Sequence, residues 1–138
     1  MKEIVWIDPR DIVQIHDRVL VEHGGVRGAS VLGLFLGILD IPRAKYERGE
    51  RNPFVLAGSF AAAIVHSRPF ADGNRRTGLV ACILFLELNG YEFIAREEEA
   101  AEAITALAKR KIREQGFVAF LRDRTNRAYR RVRATPAT

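Results

Sequence analysis

Cysteine is nearly missing from this sequence, with Cys82 the single example in 138 residues. An intrachain disulfide and a cysteine-rich metal site are both excluded by that count. Cys82 itself sits inside an apolar run and reads as an inert core thiol. Long hydrophobic runs are missing too. The most apolar stretch, GLVACILFLELNG from Gly78 to Gly90, falls far short of the ~20 residues that a membrane span requires. The N-terminus, MKEIVWIDPRDIV, carries acids and lacks the apolar core of roughly 7 to 15 residues that export requires. With no export signal and one lone thiol, the expected location is the cytoplasm. Internal repeats and low-complexity segments are likewise missing.

What is present suits one compact domain. Apolar residues make up 48% of the chain and charged ones 28%, enough to bury about two-thirds of the unfolded surface. We assign residues 1–133 to that domain and the last five, ATPAT, to a frayed tail. The net charge of +5 is unevenly placed. Lys109 to Arg133 holds ten basic residues and two acidic ones, a local +8, which leaves −3 for the rest. Arg122, Arg124, Arg127, Arg130, Arg131 and Arg133 have no base-reading motif or aromatic platform beside them. They read as a solvated face or a surface for an acidic partner, with nucleic acid bound at most nonspecifically.

Hydrophobic periodicity predicts helices. Asp8 caps a first helix that starts at Pro9, repeats Ile12, Ile15 and Val19 on one face, and stops at Gly24-Gly25. A second apolar segment opens at Ser30 and ends before Pro42, followed by a charged loop from Arg43 to Asn52. Asn52 and Pro53 begin a third helix of small and apolar residues, and Asn74 to Leu88 forms a fourth, ended by Asn89-Gly90. YEFIA is a short extended link. EEEAAEAITALAKRK is an amphipathic helix with acids first and bases last, and a final helix runs from Gly116 to Arg133. The fold class is therefore all-α, with the fourth helix buried at its centre.

The stretch HSRPFADGNRRTG, residues 66–78, joins the two most buried helices and concentrates the polar chemistry. Gly73 and Asn74 stand where the unpaired N–H groups and positive dipole end of the fourth helix form an anion site. Arg75 and Arg76 add guanidinium groups suited to phosphate, and at that end of a helix they are unfavourable without an anion. Asp72 is the carboxylate that can hold a hard cation such as Mg²⁺ beside the phosphates. Ordinary turn and N-cap chemistry also uses Asp-Gly-Asn, so spacing alone leaves both readings open. His16 and His23, on the first helix and its end, have no motif around them and read as structural.

PFADGNRRTG resembles the signature loop of the Fic/Doc superfamily, approximately His-Pro-Phe-x-Asp-Gly-Asn-Lys-Arg-Thr. IHDRVLVEHGG, PFVLAGSFAAAIV and FLELNGYEF resemble the segments around that loop, so the resemblance covers most of the chain. Small size, and TGL after Arg76 without a further arginine, point to the Doc branch, the toxins of toxin-antitoxin pairs. The resemblance implies a compact helical bundle and transfer of a phosphoryl group, or less readily a nucleotidyl group, from ATP to a protein hydroxyl. It further implies an antitoxin partner and a protein substrate such as elongation factor Tu. Asp72 would hold Mg²⁺, Gly73, Asn74, Arg75 and Arg76 would cradle phosphates, and Phe70 would anchor the loop in the core.

The family's catalytic histidine is expected two positions before the phenylalanine, where this chain has Arg68. His66 stands two residues too early. Two catalytic candidates follow. If the third helix is regular to Ser67, His66 points ~200° away from the motif position, which Arg68 then fills. Arginine, effectively always charged, cannot accept a hydroxyl proton. If the helix ends early, which Pro69 favours, Ser67 and Arg68 are an insertion and His66 reaches the site. The second geometry leaves a toxin of the usual kind, whereas the first leaves a slow enzyme or a module that binds nucleotide or a partner without efficient transfer.

Overall fold

The computed structural model of the chain describes residues 3–25 and 32–127, and among them the fold is all-α, with one two-stranded ribbon. Its elements are α1 (Pro9–His23), α2 (Leu32–Glu47), α3 (Pro53–Ser67), α4 (Asn74–Leu88), β1 (Tyr91–Phe93), α5 (Glu97–Ala108), α6 (Glu114–Asp123) and β2 (Thr125–Arg127). No helix of the described residues is long and apolar enough to cross a membrane.

The expected caps are in place. Asp8 accepts a hydrogen bond from the Arg10 N–H at 2.8 Å, and Asp11 in turn accepts one from the Asp8 N–H, closing a capping box ahead of Pro9. Asn52 accepts from the Phe54 N–H at 2.9 Å before Pro53. At the end of α4, Asn89 bonds both backbone groups of Val5, accepting from its N–H at 2.8 Å and donating to its carbonyl at 2.9 Å. That clamp delivers Trp6 against Tyr46 and Phe85, at ring-centroid distances of 5.5 and 5.7 Å.

α3 is the axis of the bundle. Every residue from Leu56 to Val65 is buried, and α2, α4, α5 and α6 all pack against it. Small residues set how closely they approach. A Cβ placed on Gly58 would lie 2.7 Å from Val118 Cγ2 of α6, and one on Gly78 of α4 would lie 3.1 Å from Val65 Cγ1 of α3. Neither position has room for a side chain without movement of its neighbour.

Two expectations are corrected. α2 does not stop before Pro42 but runs through it to Glu47, taking in residues expected as a charged loop. Pro42 is fully buried, so packing of its ring offsets the backbone hydrogen bond it cannot donate. The last helix does not reach Arg133: α6 ends at Asp123, and Thr125 to Arg127 pair antiparallel with β1, Phe93 opposite Thr125 and Tyr91 opposite Arg127. The Thr125 hydroxyl donates to the Leu121 carbonyl at 2.6 Å, satisfying a group of the last helical turn as the chain leaves the helix. Ser30, the three arginines from 130 to 133 and the five-residue tail lie outside the described residues.

Candidate functional site

α3 is regular through Ser67, and Arg68 is its C-cap, in the left-handed conformation (φ 51°, ψ 62°), with its N–H donating to the Ile64 carbonyl at 2.9 Å. The chain then turns at the buried Pro69 and Phe70 and enters α4 through Gly73 (φ 79°), a conformation glycine adopts without strain. No side chain among the described residues caps the first turn of α4, and no acid lies in that turn. The N–H groups of Asn74, Arg75 and Arg76 thus form an open positive helix end.

Three side chains hold the loop. Asn74, buried, spans it by accepting from the Phe70 N–H at 3.1 Å and donating to the Phe70 carbonyl at 2.9 Å. Its amide is consumed by loop closure, so only its backbone N–H is left to meet an anion. Phe70 is buried and lies flat against His16 of α1, the rings 3.7 Å apart and 10° from parallel. His16, itself buried, donates from Nε2 to the Asp72 carbonyl at 2.7 Å. The loop is therefore fixed from outside its own sequence, and this role of His16 is one that local reading missed. A clue was present in its position, in register with the apolar face of Ile12 and Val19.

The loop borders a cavity of about 590 Å³ that all seven residues singled out from the sequence line. Among the described residues Asp72 is the only carboxylate on its wall, and Arg68, Arg75 and Arg76 bring permanent positive charge. Asp72 Oδ1 accepts from the Gly73 N–H at 3.0 Å, and Gly25 lies close, since a Cβ there would meet Asp72 Oδ2 at 3.1 Å. Arg76 Nη1 donates to His23 Nδ1 at 2.9 Å, so the end of α1 steers a guanidinium of α4. His23 thus has a partner in the site that sequence spacing did not reveal. Lys109 and Arg110, from the turn after α5, complete the basic lining.

Of the two geometries for the histidine, the structure has the regular helix. His66 is a residue of α3 and donates from Nε2 to the Leu107 carbonyl in the last turn of α5, at 2.8 Å. It borders the cavity while bracing α3 to α5. Arg68 stands two positions before Phe70, exposed, and its guanidinium has no hydrogen bond among the described residues. Cys82 is remote from this chemistry: it is fully buried, donates to the Leu79 carbonyl, and burial pushes its thiol pKa up to about 12.

The donor set suits a Mg-nucleotide better than a caged ion. Mg²⁺ is commonly held by one or two carboxylates with phosphate and water completing its shell. Asp72, beside arginines and an open helix N-terminus, matches that pattern, and no group of three metal-ligating side chains occurs among the described residues.

The Fic/DOC family model matches residues 6–86, more than half of the chain. The chain is also similar to the protein kinase doc of Escherichia phage P1, 28% identical over 95 residues, which cover 68% of this chain and 75% of that protein.

Proposed function

The chain belongs to the Fic/DOC family, and from that premise we propose that it is a Doc-like toxin whose cavity binds a Mg-nucleotide. On this reading ATP is the donor, a protein hydroxyl such as one on elongation factor Tu is the acceptor, and an antitoxin is the controlling partner. The cytoplasm, where donor and acceptor meet, is its place of action. The carrying observation is the open N-terminus of α4, facing a cavity whose described lining holds Arg68, Arg75 and Arg76 with one carboxylate, Asp72.

When bound, the metal-nucleotide supplies the group to be transferred and partly neutralises its charge. The chain's own residues bind and orient. Asp72 would hold the cation, with its Oδ1 oriented by the Gly73 N–H. Backbone N–H groups of Asn74, Arg75 and Arg76 would meet phosphate oxygens, and Arg76 is steered by His23. Arg68 adds a guanidinium where the family resemblance implies a base. It neutralises phosphate charge and takes no proton.

One observation favours a second reading, in which nucleotide or partner is bound without efficient transfer. His66 Nε2 is committed to the Leu107 carbonyl, and Arg68 fills the motif position. General-base catalysis is typically worth ~10²- to 10⁴-fold, and the chain forgoes that factor if no other group accepts the proton. The test is incubation of elongation factor Tu with Mg-ATP and either the chain or its Arg68→His variant, read by mass spectrometry. A phosphate increment from both supports the toxin as it stands, and one from the variant alone supports the second reading. No increment from either, in a protein that calorimetry finds unable to bind Mg-ATP, overturns both.

A further inference from the structure

Among the described residues only two that are not glycine have a positive φ, Arg68 (51°) and Arg110 (60°), and both line the same cavity. Arg110 closes α5: its N–H donates to the Leu107 carbonyl at 3.1 Å, and the Lys111 N–H donates to the Ala106 carbonyl at 2.8 Å. This is a Schellman ending, whose left-handed position is usually glycine because any Cβ is disfavoured there. Cations near a helix C-terminus interact well with its dipole, but Lys109 and Lys111 already supply them. An arginine at the one strained position of the turn, on a cavity wall, therefore needs another reason.

Charge gives that reason. Among the described residues the cavity lining holds five permanent cations, Arg68, Arg75, Arg76, Lys109 and Arg110, against the single carboxylate of Asp72. One Mg-nucleotide, its charge partly cancelled by the metal, leaves the wall in positive excess. Neither Lys109 nor Arg110 forms an ion pair among the described residues. The turn is also firmly seated. The Leu107 carbonyl accepts from both the Arg110 N–H and His66 Nε2, which locks the turn to the end of α3.

We propose that Lys109 and Arg110 form a second oxyanion subsite, which takes a carboxylate of the protein substrate bound beside the nucleotide. This rests on the nucleotide reading above and adds that the acceptor protein presents acidic side chains next to its reacting hydroxyl.

The test uses the full chain and two probes, Mg-ATP by calorimetry and a hexaglutamate peptide by fluorescence anisotropy, with and without Mg-ATP. Arg110→Gly is the informative variant, because strain and binding move in opposite directions. It raises Tm by about 3 °C and weakens peptide binding about tenfold, the loss expected for a charge-assisted hydrogen bond. Arg110→Lys keeps the charge and the strain, so Tm stays unchanged and most of the peptide affinity remains. Unchanged peptide affinity in Arg110→Gly, or no peptide binding by the wild type, overturns the proposal. So does a loss confined to Mg-ATP affinity, which assigns the turn to the nucleotide's phosphates instead. Peptide binding in a wild type that fails to bind Mg-ATP leaves the subsite standing and overturns the nucleotide reading.

Discussion

The histidines show how far residue type alone leads. His16, His23 and His66 all engage the site or its rim, and each uses a ring nitrogen for positioning. For His16 the consequence is measurable. Replacing it with Leu keeps bulk against Phe70 but leaves the Asp72 carbonyl without this donor, and should destabilise the fold by about 1–3 kcal/mol in urea titration. The same variant should bind Mg-ATP more weakly, because the backbone of Asp72 is no longer held. Arg68 has the opposite sign: Arg68→Gly relieves the left-handed strain and should stabilise the protein by about 1 kcal/mol, while lowering nucleotide affinity. The motif half of the site, Asp72 to Arg76, was legible because Asp-Gly-Asn-Arg-Arg before an apolar helix concentrates turn, capping and anion chemistry locally. The supports were not, because His16, His23 and Lys109-Arg110 come together only by tertiary packing.

Among the elements, α3 and α6 meet where Gly58 faces Val118, and there packing outweighs propensity. Alanine is the better helix former by about 1 kcal/mol, yet Gly58→Ala should destabilise, since its Cβ has 2.7 Å to Val118 Cγ2. A double-mutant cycle with Val118→Ala checks this: the pair should lose at least about 0.5 kcal/mol less than the sum of the single losses. Across the start of α5 and the end of α6, Arg124 holds the Glu99 carboxyl below its ordinary range by a side-chain hydrogen bond at 3.1 Å, helped by the Arg96 N–H. A lowered pKa gives stability that is present above the unfolded-state value and is lost as pH falls through the folded one. Glu99→Gln should therefore flatten the decline of Tm on acidification below about pH 5, read by thermal melts in a pH series. The boundaries of α1, α3 and α4 were written locally, in Asp8-Pro9, Asn52-Pro53 and Gly73-Asn74 with Asn89-Gly90. The end of α2 and the switch to β2 were not, because one depends on burial of Pro42 and the other on pairing with Tyr91–Phe93.

For the molecule as a whole, ligand binding and stability are one equilibrium. If the cavity takes Mg-ATP, saturation at a hundred times Kd adds about 2.7 kcal/mol, and for a domain of this size Tm should rise by roughly 8 °C. Asp72→Ala should remove the magnesium-dependent part of that rise in a thermal-shift measurement. The cavity is built at the rim of a core that owes it nothing: α3, buried from Leu56 to Val65, is held by α2, α4, α5 and α6, whereas the site uses the ends of α1, α3, α4 and α5.

The bracing of the loop by His16, Phe70 and Asn74 has a consequence for descent. Since none of those three is residue 68, the side chain there can be exchanged without dismantling the frame that presents it. Histidine and arginine codons lie one base apart. A lineage with this scaffold can therefore silence or regain proton-transfer chemistry in a single mutational step, while keeping intact the surfaces by which its ligands and partners know it.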